Sequence, residues 1–182
     1  MNDIPDHPVY SKNVLEFITV AYDYSVTLKK KEKFKKNELI HYLRKVLPLL
    51  YVKADLIPDT EVRNPDANER FVTEEEWEAL FNQLRNLFGA DDEFWLTDPS
   101  GNESEMVKGS MAEHLTDIWQ DLQDFLVLYQ KNSIMAKENA VFEVKRLFNE
   151  SWGIRLVNAL KQLHFLGMKP VIDTDHEMPD FF

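Results

Sequence analysis

The chain has 182 residues, no cysteine, and a net charge of −11 from 21 basic and 32 acidic side chains. This composition excludes disulfides, zinc–thiolate sites and thiol catalysis. Its charge repels phosphate backbones and anionic bilayers, so neither a nucleic-acid nor a membrane partner is expected.

The first ten residues hold no basic stretch ahead of an apolar run, and no segment approaches the ~18 apolar residues of a membrane span. The expected location is cytoplasmic. The expected organisation is a single domain over residues 1–170 with an acidic, proline-broken tail over 171–182. A core of this size buries about 70% of the surface that the unfolded chain exposes.

Apolar spacing is helical nearly throughout. A first helix is predicted from Ser11, its cap, to about Lys30, with Val14, Leu15, Ile18, Tyr22, Val26 and Lys29 on one stripe. Six lysines between Lys29 and Lys36 form the only basic segment, either a solvated helix connection or a patch for an acidic partner. A second helix follows Asn37 and aligns Leu39, Ile40, Leu43, Val46, Leu47 and Leu50. Pro48 predicts a kink or a division there, since it lacks an N–H and its ring crowds the carbonyl four residues back.

Turn formers without periodicity make 55–72 a long loop. Thr73 and Glu76 form a capping box, with Val72 and Trp77 at the staple positions, and open a third helix that ends at Gly89. A second long loop covers 90–109. Ser110 and Glu113 make another capping box, and the fourth helix carries Leu115, Ile118, Leu122, Phe125, Leu126 and Tyr129. The last pattern runs Val141, Val144, Phe148, Trp152, Leu156, Leu160, Leu163 and passes Gly153, predicting one uninterrupted helix from about Ile134 to Leu166. The expected fold class is therefore all-α, an irregular bundle of about five helices with two long loops.

On the fourth helix His114, Asp117, Asp121 and Asp124 recur at spacings of three, four and three, which places them on one face. Imidazole with carboxylates on a bundle helix is how helical metal sites begin, and His114, Asp117 and Asp121 are the candidate ligands. A facing helix must supply the remainder, from Glu143, Glu150 or His164. The simpler reading makes the row the solvated side of an amphipathic helix. Phe94 and Trp95 in the second loop read as a hydrophobic plug or an exposed recognition element. Trp152 beside Gly153 reads as helix packing or as an aromatic platform. No glycine-rich phosphate loop, nucleophile elbow or His-Glu-x-x-His pair is present, so no cofactor is expected.

Residues 71–95, 109–130 and 140–164 together resemble a bacterial family catalogued only as a domain of unknown function, number 5063. The most specific pieces are Asp117-Ile-Trp-Gln-Asp121-Leu, the Trp152-Gly153 pair and Leu163-His164. The resemblance covers the C-terminal two-thirds of the chain. It implies a helical bundle of the bacterial cytosol and adds no catalytic residue. The family pattern carries a histidine before the Trp-Gly pair, where this chain has Ser151, which takes a ligand away from the metal reading. The expected function is a non-catalytic protein-interaction module that meets a protein partner through an acidic face or the loop around Trp95, with Phe94, Trp95 and Trp152 as candidate interaction residues. The alternative is a metal-dependent helical-bundle enzyme using His114, Asp117 and Asp121. The oligomeric state is left open.

Overall fold

A computed structural model of the chain describes residues 6–30, 35–97 and 106–169. The tail over 171–182, the tip of the second loop and the middle of the lysine segment lie outside these residues. The order of elements is α1 (Lys12–Lys29), α2 (Lys36–Asp55), α3 (Glu74–Phe88), β1 (Glu93–Thr97), β2 (Met106–Ser110), α4 (Met111–Gln130), α5 (Ile134–Leu147), a π turn (Phe148–Trp152) and α6 (Gly153–Leu166). The fold class is all-α, because α5, the π turn and α6 form one rod and the two short strands are the only sheet among the described residues.

The central rod is α4. It packs against α1, α3, α5 and α6, while α2 closes the far side against α1 and α6. The core is aromatic at its middle. Trp152 is fully buried, lies 6.3 Å from the Phe17 ring and 4.8 Å from Phe148, and donates its indole N–H to the Val144 carbonyl. Tyr24 crosses from α1 and donates its hydroxyl hydrogen to the Leu115 carbonyl at 2.9 Å, which satisfies a buried phenol.

Several expectations need correction. The buried stripe of α1 is Val14, Phe17, Ala21, Tyr24 and Leu28, so Leu15, Tyr22 and Val26 stay at the surface. The helix is apolar over two adjacent stripes, and the bulkier aromatic pair took the core. Lys35, not Asn37, occupies the N-cap position of α2, where its backbone N–H donates to the Glu38 carboxylate at 3.2 Å. Pro48 leaves α2 undivided. It sits on the exposed side, where water can reach the carbonyl its ring frees.

The second loop is not structureless. Residues 93–97 and 106–110 pair as an antiparallel ribbon in which Trp95 faces Lys108 and Phe94 faces Gly109. A Cβ on Gly109 would meet the Leu96 side chain at 2.8 Å and the Phe94 ring at 3.3 Å, so the glycine lets both side chains fold over the ribbon. The last helix is interrupted by its π turn, where the Gly153 N–H reaches back five residues to the Phe148 carbonyl. Gly153 is what makes that turn tight, for a Cβ there would press on this oxygen and lie 3.0 Å from the Phe148 ring.

The two capping predictions divide. Thr73 and Glu76 bond reciprocally, and Gly89 adopts φ +56° to end α3. Ser110 accepts from the Glu113 N–H, but Glu113 points toward Arg155 and Asp92 completes the cap instead. Asp92 is buried and accepts from the Ser110 hydroxyl and the Ala112 N–H, each at 2.8 Å.

Candidate functional site

The His114–Asp124 row is neither solvated nor free. The chain entering α3, α3 itself and β1 lie over this face of α4, and each member of the row meets a specific partner. His114 is only 6% exposed, and the Phe94 ring stands edge-on to it at 5.4 Å. Its Nδ1 lies 3.5 Å from the Arg155 guanidinium, and its Nε2 is buried without a hydrogen-bond partner. Burial, then the nearby guanidinium, bring its pKa down to about 4, so the ring is neutral at pH 7.

Asp117 binds two neighbours. The Trp77 indole N–H donates to its Oδ1 at 2.9 Å, and Arg155 Nη1 lies 2.9 Å from its Oδ2. Asp121 stands 3.5 Å from Arg70, yet burial pushes its carboxyl up to about 6, with Asp117, Asp124 and Glu143 adding repulsion. Asp124 accepts the backbone N–H groups of Phe71 and Val72 on one oxygen, at 2.7 and 2.9 Å. Its other oxygen is buried, 3.7 Å from Arg70. Glu143 reaches the same place from α5. With Arg70, Asp121 and Asp124 it lines a cavity of about 20 Å³, room for about one water.

The row thus splits. His114 and Asp117 gather around Arg155 from α6, while Asp121 and Asp124 gather around Arg70 from the loop. No group of three or more His, Asp or Glu side chains among the described residues is placed to hold a metal ion. Arg155 stands where a cation shared by His114 and Asp117 would sit, and it brings that charge on a fixed stem. Of the facing-helix candidates, only Glu143 approaches the row. Glu150 pairs with Arg146, and His164 is exposed.

The aromatic candidates separate in the same way. Phe94 is a plug, 8% exposed against His114. Trp152 is core and offers no platform. Trp95 is 58% exposed on the outward face of the ribbon, near Met106 at 55%, with Lys108 Nζ 5.9 Å from its ring. Within the lysine segment, Lys29 pairs with Glu76, and Lys36 binds Asp91 and the Phe88 carbonyl, so the ends of this segment fasten α1 and α2 to the two ends of α3.

Sequence reasoning missed the anchors supplied by the first long loop. Arg63 lies 2.7 Å from buried Glu138 on α5, and His7 joins that carboxylate at 3.3 Å. The available signal was two arginines, Arg63 and Arg70, flanking the Asn64–Glu69 stretch of the loop, in a chain with surplus carboxylates on helical faces.

Together the fold and its covered polar row define a small helical bundle with a projecting β-ribbon. Residues 8–169 match the family described as a domain of unknown function (DUF5063), and the chain belongs to that family. It is similar to the crystal structure of protein BF1032 from Bacteroides fragilis, with 30% identity and a TM-score of 0.81, over 90% of this chain and 98% of that one. No curated protein matches it. No helix among the described residues is long and apolar enough to cross a membrane.

Proposed function

We propose that the protein is a non-catalytic protein-interaction module of the bacterial cytoplasm that meets a protein partner through the outward face of the β1–β2 ribbon. One observation carries this reading: adjacent aromatic residues on one strand have opposite fates. Phe94 anchors the ribbon to α4, and Trp95 is presented to solvent. Tryptophan is among the side chains enriched at the energetic centres of interfaces. Met106 and the Lys108 stem extend the same face, and both edges of a two-stranded ribbon can accept a further strand.

The test compares the intact chain with Trp95→Ala in affinity capture from native lysate. A partner retained by the first and lost by the second, at equal melting temperature, supports the reading. Equal capture by both, or no specific capture at all, counts against it.

A metal-dependent reaction at His114, Asp117 and Asp121 is the competing reading, and the unpartnered Nε2 of His114 is what favours it. It requires Arg155 to leave Asp117 and the two halves of the row to converge. Both carry a cost, because they break the pairs with Arg155 and Arg70 that hold the two halves apart.

A further inference from the structure

We propose that a groove between the first half of α2 and the end of α6 is the docking site of the chain's own acidic segment, residues 170–182. The groove spans about 370 Å³, with Ile40 and Leu166 among its apolar walls, Arg44 and Lys169 as its cations and Glu38 as its carboxylate, Lys169 already pairing with Asp91 at 2.8 Å. Arg44 is the telling residue. Arg63, Arg70, Arg146 and Arg155 each hold a carboxylate. Arg44 is partly buried and has no carboxylate partner among the described residues; Arg85, which also has none, is exposed and lies over the Phe81 ring. A partly desolvated guanidinium with no carboxylate of its own gains from an anion that reaches it.

The chain itself brings the anion to this spot. Gly167 and Lys169 line the groove, so the segment that follows starts on its rim. Gly167 has no side chain where the Arg44 stem passes, and a Cβ there would lie 2.9 Å from Arg44 Cδ. The segment carries Asp173, Asp175, Glu177 and Asp180 with no lysine or arginine, behind the apolar pair Val171-Ile172. That pattern matches an apolar floor beside a guanidinium. Thirteen residues can extend to ~45 Å, so reach is no constraint, and tethering at the rim makes the local concentration high. Attachment at the rim beside the unpaired Arg44 favours this segment over an unrelated ligand.

The chain has no cysteine, so Met178→Cys carries a single nitroxide on the full-length protein. The readout is paramagnetic broadening of backbone amides. Docking predicts broadening concentrated on His41–Lys45 and several-fold weaker at Phe88–Asp91, which also lies beside Lys169. Arg44→Glu, checked for an unchanged circular dichroism spectrum, should even out the two, as should high salt. Broadening spread equally over both regions from the start overturns the proposal. So does a concentration on α2 that survives Arg44→Glu. Broadening of an isotopically labelled, nitroxide-free copy mixed with the spin-labelled one also overturns it, by placing the segment on a second molecule.

Discussion

Arg155 of α6 and Asp117 of α4 form the ion pair that holds the last helix to the central one, at 2.9 Å. The same carboxylate accepts the Trp77 indole N–H, so one side chain ties α3, α4 and α6 together. In that geometry the polar row is a set of fasteners, and the consequences for stability can be stated residue by residue.

Asp124 clamps the chain entering α3 through two backbone N–H groups. Replacing it with alanine strands both donors, and hydrogen bonds to a charged acceptor are each worth about 1.5–3 kcal/mol. Asp124→Ala should therefore lose at least about 2 kcal/mol in urea unfolding, and Asp124→Asn, which keeps an acceptor, should lose less.

The two shifted groups of the row respond to pH in opposite senses. His114 falls from 6.5 to about 4 in the fold, so below pH 6.5 the unfolded chain binds a proton that the folded chain refuses. Its contribution is complete above pH 6.5 and is lost as pH falls toward 4. Asp121 rises from 3.8 to about 6, so its ionisation costs the fold stability as pH climbs through that interval. Proton NMR should place the His114 midpoint near 4. Asp121→Asn should gain on the parent chain by about 1–3 kcal/mol between pH 4 and 7, read as the difference between two denaturation curves.

Gly153→Ala tests the π turn. In an ordinary helix interior this change stabilises by roughly 1 kcal/mol. Here the new Cβ meets the Phe148 carbonyl and ring, and overpacking of this kind costs about 1–3 kcal/mol. A lowered melting temperature is expected, and a raised one would mean that the rod runs through as a plain α-helix.

The neighbouring aromatics should separate under truncation. Phe94→Ala removes a buried ring and should cost about 3 kcal/mol or more. Trp95→Ala removes an exposed one and should change stability by no more than about 0.5 kcal/mol. Thermal melts of both variants check this.

The helical rods and most of their buried positions were legible because burial imposes a period, as the stripes of α2 and α4 show. Thr73, Glu76 and Gly89 were legible because caps are written in adjacent residues. The face of α1 was not, since two apolar stripes compete and only the packing of Phe17 on Trp152 decides between them. The π turn was hidden because Phe148 and Trp152 keep the helical spacing on either side of the extra residue. The row on α4 was visible as a pattern of residue types but not as fasteners. Arg70 is 51 positions from Asp121, and Arg155 is 38 from Asp117, separations that no local spacing reveals.

The most direct test of the row as scaffold is a thermal melt of the intact chain and of Asp117→Asn, each with and without Mn²⁺, Mg²⁺ or Zn²⁺. The substitution should lower the melting temperature, through loss of Arg155 and Trp77, and no metal should move it in either chain. A metal that raises the melting temperature of the intact chain but not of the variant would contradict the scaffold reading.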